Sequence, residues 1–236
     1  MIEVIKNLKN VLSWARKNLR LISLFCLCLV GFFTFSKLVS EVLEGESRTL
    51  DTTILMLLRD PKNSDNLWGP GWFQEMMRDI TGLGGIAILT LITIASSAYF
   101  LVIRKRGLAL YVLCSVGTGM LFSNLLKMHF DRPRPDLVPH GSIIYTASLP
   151  SGHALMSAVV YLTLGALLAE AQRSRNLKIY IMSLAALITV LVGISRVYLG
   201  VHWPSDVIAG WLAGASWALM FWLVVHYIRT ANQLRT

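Results

Sequence analysis

Six long apolar runs separated by short polar joints organise the chain: residues 21–40, 80–103, 108–126, 152–169, 179–194 and 207–228. A helix that crosses a bilayer needs about 20 predominantly apolar residues, within a range of about 17–25. The second, third and sixth runs meet this outright. The fourth and fifth are shorter and count as spans because the others do and because polar residues flank each one. The first has a basic lead-in like a signal peptide, but its apolar run is long and no small-residue cleavage site follows. It reads as an uncleaved anchor. The pattern predicts an all-α, six-transmembrane helical bundle in a single domain over residues 1–236.

Residues 41–79 are too long for a simple turn. They hold a short apolar stretch, Thr52 to Leu58, then a Pro/Asn/Gly-rich break, then Trp68, Trp72 and Phe73. The stretch is too short to span, and tryptophan favours the bilayer interface. One or two short interfacial helices are expected between spans one and two; a lid packed on the bundle without lipid contact is the alternative.

Composition agrees with a membrane protein. Hydrophobic residues make up 55% and charged residues 15%, against about 25% charged in soluble domains. The shortfall excludes a disordered chain. A net charge of +9 raises nucleic-acid binding as a second cause of basicity, but that would need a basic stripe. None is visible, and no repeat or low-complexity tract appears. Positive charge is instead sorted by side. With six spans both termini share one face. That face carries Lys6, Lys9, Arg16, Lys17, Arg20, Arg104, Lys105, Arg106, Arg173, Arg175, Lys178, Arg229 and Arg235, with only Glu3 and Glu170. The other face has nine basic and eleven acidic residues. The positive-inside rule places both termini in the cytoplasm. Cys26, Cys28 and Cys114 lie in apolar runs and read as small buried hydrophobes.

Ionisable residues at membrane depth are costly, which makes them functional candidates. Three groups fall at outer helix ends. Lys127 ends span three and is followed by Asp131-Arg132-Pro133-Arg134-Pro135. The prolines keep this stretch extended, so Lys127 and Arg134 can enter one cavity from different directions. Arg suits bidentate phosphate recognition and Lys point-charge attraction; snorkelling to headgroups is the bland alternative, and Arg132 fits both. Pro150-Ser151-Gly152-His153 opens span four. A helix N-terminus presents free N–H groups to an anion, Gly152 lets the anion come close, and His153 exchanges protons near neutral pH. An N-cap with an interfacial His is the alternative. Ser195-Arg196 and His202-Trp203-Pro204-Ser205-Asp206 bracket the turn into span six. Pro204 suits the first helical turn, and Asp206 is placed to accept a hydrogen bond from His202. A His oriented by a carboxylate is the arrangement of an activated nucleophile or base. A metal site is the competing reading, and three fixed positive charges nearby argue against it.

The pattern Lys127-x6-Arg134-Pro135, Pro150-Ser151-Gly152-His153, Ser195-Arg196-x5-His202-x3-Asp206 resembles the three-part signature of the type 2 phosphatidic acid phosphatase superfamily, with every signature position matched. The chain looks most like the superfamily's bacterial membrane lipid phosphatases. The resemblance implies that His202 is the nucleophile that forms a phosphohistidine, that Asp206 orients it, and that His153 protonates the leaving lipid oxygen. It implies phosphate binding by Lys127, Arg134, Ser151, Gly152 and Arg196, with no metal and no other cofactor. The implied partners are a phosphorylated membrane lipid and the bilayer, with no nucleic acid. Undecaprenyl pyrophosphate and phosphatidylglycerophosphate or phosphatidic acid are the leading substrate types; lipid A phosphatase, lipid phosphotransferase and a non-enzymatic lipid-binding or transport role are the alternatives. The implied location is the bacterial inner membrane, with the site on the periplasmic face. The sequence carries no signal for oligomeric state.

Overall fold

A computed structural model describes residues 18–139 and 147–233. It is helical throughout apart from one small hairpin. The elements in order are α1 (Leu19–Leu43), α2 (Arg48–Leu57), β1 (Arg59–Asp60), β2 (Asn63–Leu67), α3 (Gly71–Gly82), α4 (Ile86–Val102), α5 (Arg106–His129), α6 (Gly152–Glu170), α7 (Arg175–Tyr198) and α8 (Pro204–Gln233).

Five helices are long and apolar enough to cross a membrane: α1, α5, α6, α7 and α8 up to Ile228. The expected second span starts later than its apolar run. Helix α4 covers only its latter part, and α3 meets it at a 47° bend. The break falls at Gly82-Leu83-Gly84-Gly85, where glycine favours neither helix. Counted as one bent span, α3 and α4 bring the total to six. Large apolar side chains such as Phe25, Phe33, Leu91, Leu121 and Ile179 point outward, as lipid contact permits and water does not.

Helix α6 forms the centre. Half of its apolar window is buried, against 17% for α1. Its residues are small on nearly every side: Ala154, Ser157, Ala158, Gly165 and Ala169 are all buried. Small residues let neighbouring backbones approach closely, and α7 and α8 pack along α6. A Cβ on Gly210 of α8 would lie 2.7 Å from the Ser151 carbonyl oxygen. Gly210 and Gly214 of α8 therefore serve close packing against α6. Across the bundle Ser115 and Thr163 share a hydrogen bond of 3.2 Å.

One short helix, α2, lies between spans one and two, and α3 follows as the first limb of the bent second span; between α2 and α3 the chain folds into an antiparallel hairpin pairing Arg59 with Leu67. This unit packs on the bundle. Leu58, Leu67, Phe73 and Ile80 cover Tyr198, Leu199 and Val201 at the α7–α8 turn. The Tyr198 hydroxyl donates to the Trp68 carbonyl oxygen at 2.6 Å, while Trp68 and Trp72 remain exposed. Of the cysteines, Cys28 is buried and Cys114 half-buried. Cys26 is exposed on α1, contrary to its reading as a buried hydrophobe, because the outer face of a lipid-exposed helix is as apolar as its inner one.

Candidate active site

The site lies where the C-terminal ends of α5 and α7 meet the N-terminal ends of α6 and α8. The Arg104–Arg106 turn and the Arg173–Lys178 turn lie at the opposite ends of these helices. A cavity of about 280 Å³ opens here. Six of the residues singled out in the sequence border it: Lys127, Arg134, Gly152, His153, Arg196 and His202. Ser151 and Asp206 are fully buried behind its wall.

Local sequence explains how each side chain arrives. Ser151 caps α6, its hydroxyl accepting from the Ala154 N–H at 3.5 Å. Its own N–H donates to the Asp206 carbonyl oxygen at 2.9 Å, stitching the starts of α6 and α8 together. The cap uses only one acceptor site of the Ser151 hydroxyl and leaves its O–H free to donate. Gly152 follows, and a Cβ there would sit 3.1 Å from Lys127 Nζ. The missing side chain is what lets the Lys127 ammonium lie over the first turn of α6. Pro204 begins α8 and puts Asp206 in its first turn, where a carboxylate meets the positive end of the helix dipole.

His202 is 1% exposed. Arg134 Nη1 lies 3.2 Å from His202 Nε2. A guanidinium only donates, so Nε2 accepts and carries the lone pair, leaving the proton on Nδ1. That Nδ1 faces Ser148 Oγ at 3.4 Å and Asp206 Oδ2 at 3.6 Å. The expected hydrogen bond from His202 to Asp206 is therefore longer than a direct bond, and Ser148, which itself donates to Asp206 Oδ2, stands between the two. Burial pushes the His202 imidazole down to about 4, with the Asp206 carboxylate pulling the other way. It is neutral at physiological pH. Burial also lowers the Arg134 guanidinium, partly offset by Asp206; a guanidinium so placed stays charged at neutral pH. Arg134 is held by the Val201 carbonyl oxygen at 2.5 Å and that of Ala147 at 3.3 Å. Arg196 Nη1 donates to Thr81 Oγ1 at 2.9 Å, and its buried Nε has no partner among the described residues.

Arg132, which fitted two roles in the sequence, takes a third. It is turned from the cavity and bridges two carboxylates, Asp206 at 2.5 Å and Asp51 at 2.8 Å. Asp51, Ser148 and Thr81 escaped the sequence reading. Only Asp51 left a trace, as the one acid in the short α2 helix. Ser123 and Asn124 also border the cavity. The aromatic stretch Trp68–Phe73 does not line it. The apolar wall comes from Ile86 and Leu89 of α4 and Val116 and Met120 of α5, of which Ile86 and Met120 are exposed. His140 lies outside the described residues. Among the described residues no cluster of three or more His, Cys, Asp or Glu is arranged to hold a metal ion.

The chain is similar to several known proteins. Phosphatidylglycerophosphatase B of Bacillus subtilis is 39% identical over 169 residues, covering 70% of this chain and 79% of that protein. Undecaprenyl-diphosphatase of Sulfolobus acidocaldarius is 49% identical over 70 residues, 30% of this chain and 29% of that protein. The crystal structure of a transmembrane PAP2-type phosphatidylglycerolphosphate phosphatase from Bacillus subtilis superposes with a TM-score of 0.74 at 29% identity, covering 85% of this chain and 96% of that one. A sequence model of the PAP2 superfamily matches residues 108–230, a stretch that holds all three motif groups and every cavity-lining cation, and the chain belongs to that superfamily.

Proposed function

We propose that this protein is a membrane lipid phosphatase that hydrolyses a phosphomonoester or pyrophosphate through a phosphohistidine. The observation that carries the reading is the His202 imidazole. Its Nε2 meets Arg134 in a cavity that Lys127 and Arg196 also line, and a buried carboxylate stands behind its Nδ1.

The chemistry follows from these positions. The phosphoryl oxygens sit among the three cations and the N–H groups at the start of α6, which stabilise the charge of the transition state. His202 Nε2 attacks phosphorus as the bond to the lipid oxygen breaks, and His153 gives that oxygen its proton. The imidazolium that forms keeps its Nδ1 proton toward Ser148 and Asp206. Water then attacks the phosphohistidine, giving its proton to His153, and phosphate leaves with His202 restored. No step needs a metal, because fixed cations neutralise the phosphoryl oxygens.

The apolar wall of α4 and α5 supports a lipid substrate that enters sideways, its tail remaining among Ile86, Leu89, Val116 and Met120. Undecaprenyl pyrophosphate and phosphatidylglycerophosphate are the substrates of choice, given the relatives above. The concentration of Lys and Arg at the opposite helix ends supports cytoplasmic termini and a site on the outer face of a bacterial inner membrane.

Purified protein given a panel of these lipids should release phosphate from at least one. With radiolabelled substrate and an alkaline quench, label should stay on wild-type protein. His202→Ala should abolish both label and turnover while eluting as folded protein in detergent. Turnover by His202→Ala at the wild-type rate would sink the mechanism.

A further inference from the structure

A buried ion chain runs away from the nucleophile and out of the motif region. Asp51, on α2, is 1% exposed. Its Oδ1 accepts the Ser205 N–H at 2.9 Å. Its Oδ2 accepts Ser205 Oγ at 2.6 Å, Arg132 Nη2 at 2.8 Å and the Ser47 hydroxyl at 3.0 Å. Arg132 turns its other nitrogen, Nη1, to Asp206 Oδ1 at 2.5 Å and to Ser205 Oγ at 2.8 Å. Asp206 Oδ2 is left for Ser148, the Trp203 N–H and His202 Nδ1. One guanidinium thus spans two carboxylates, and each carboxylate also receives a backbone N–H at the start of α8.

We propose that Asp51 is a positioning residue for the phosphatase reaction, acting through Arg132 to hold Asp206 with one oxygen committed to the guanidinium and the other presented to His202. The argument is geometric and electrostatic. A planar guanidinium forms its strongest contact as a two-pronged fork on one carboxylate. Asp51 prevents this by taking the second prong. Without it, Arg132 is free to close on both oxygens of Asp206, drawing Oδ2 from the imidazole and loosening the Nδ1–H orientation that aims the Nε2 lone pair. Because Asp51 lies between the first two spans, the segment before the matched region contributes to catalysis from outside the cavity.

This inference rests on the phosphatase reading, and the experiment separates the two. Asp51→Asn and Arg132→Lys are assayed for lipid phosphate release beside wild type and His202→Ala. Asn retains the shape and an oxygen for the Ser205 N–H but not the ion pair. Lys retains the charge but replaces the planar fork with a single ammonium, which does not hold the two carboxylates at the spacing set by two guanidinium nitrogens. Each should lower kcat by about tenfold to a hundredfold, as expected for misplacement of a reacting group, with KM within about twofold because the phosphate-binding cations are untouched. The double variant should be no worse than Arg132→Lys alone, and nitrogen NMR of labelled histidine should show His202 losing its single Nδ1–H tautomer. Wild-type kcat in either folded variant, losses that multiply in the double variant, or loss in KM alone would overturn the positioning role while leaving the phosphatase reading intact. If Asp51→Asn does not fold, Arg132→Lys carries the same kcat and tautomer readouts. Absence of phosphate release by wild type from every lipid would instead overturn the function on which the inference rests.

Discussion

At the scale of single residues the proposed mechanism gives different work to two histidines. His202 is buried against its carboxylate, whereas His153 borders the cavity and donates to no carboxylate among the described residues. An acid is needed most when the departing oxygen is basic. His153→Ala should therefore cost far more on a lipid alkyl phosphate than on an activated aryl phosphate, and equal losses on both would remove its acid role. His202 has its own test. Its folded value of about 4 lies below the ordinary histidine value of 6.5. The unfolded chain thus takes up this proton first, and stability tied to the group is intact above about 6.5 and is lost as pH falls toward about 4. Carbon and nitrogen NMR of labelled protein, with His202→Gln for assignment, should find this imidazole still neutral at about pH 5. A midpoint near the ordinary value would contradict the buried geometry.

At the scale of elements, helix ends do the positioning. The start of α6 rests against the start of α8 through the Ser151 N–H and the open face of Gly210. Gly210→Ala should push these ends apart. Overpacking of this kind costs about 1–3 kcal/mol, so a lower midpoint in a thermal unfolding scan should accompany reduced turnover, and an unchanged midpoint would mean that the helices absorb the methyl group. Element boundaries show how far the sequence could be read. Spans with uninterrupted apolar runs were legible because their period and length are local properties. The bend before α4 and the 59–67 hairpin were not, because both depend on where the 41–79 segment finds a surface to cover. The same distinction holds in the site. Motif cations and histidines were visible as ionisable groups at span ends. Ser148 was not, since a serine in a polar loop gives no sign that a carboxylate distant in sequence will need its proton. Arg132 was visible but misassigned, because its two acidic partners come from different ends of the chain.

For the whole molecule, charge and chemistry occupy opposite ends of one bundle. Exposed Lys62 lies in the hairpin at the site end, and exposed Arg173 in the turn at the other. In a background with Cys26, Cys28 and Cys114 replaced, an impermeant maleimide applied to intact cells should label Lys62→Cys and not Arg173→Cys; the reverse pattern would invert the assigned orientation. The resting molecule also has a property that follows from one contact at its centre. Arg134 donates to His202 Nε2, the atom that attacks phosphorus in the mechanism proposed above. An arriving phosphate, richer in negative charge than an imidazole, draws that guanidinium to itself and uncovers the nitrogen beside it. On the proposed mechanism, phosphate binding and exposure of the attacking nitrogen are therefore one event, because the same guanidinium serves both.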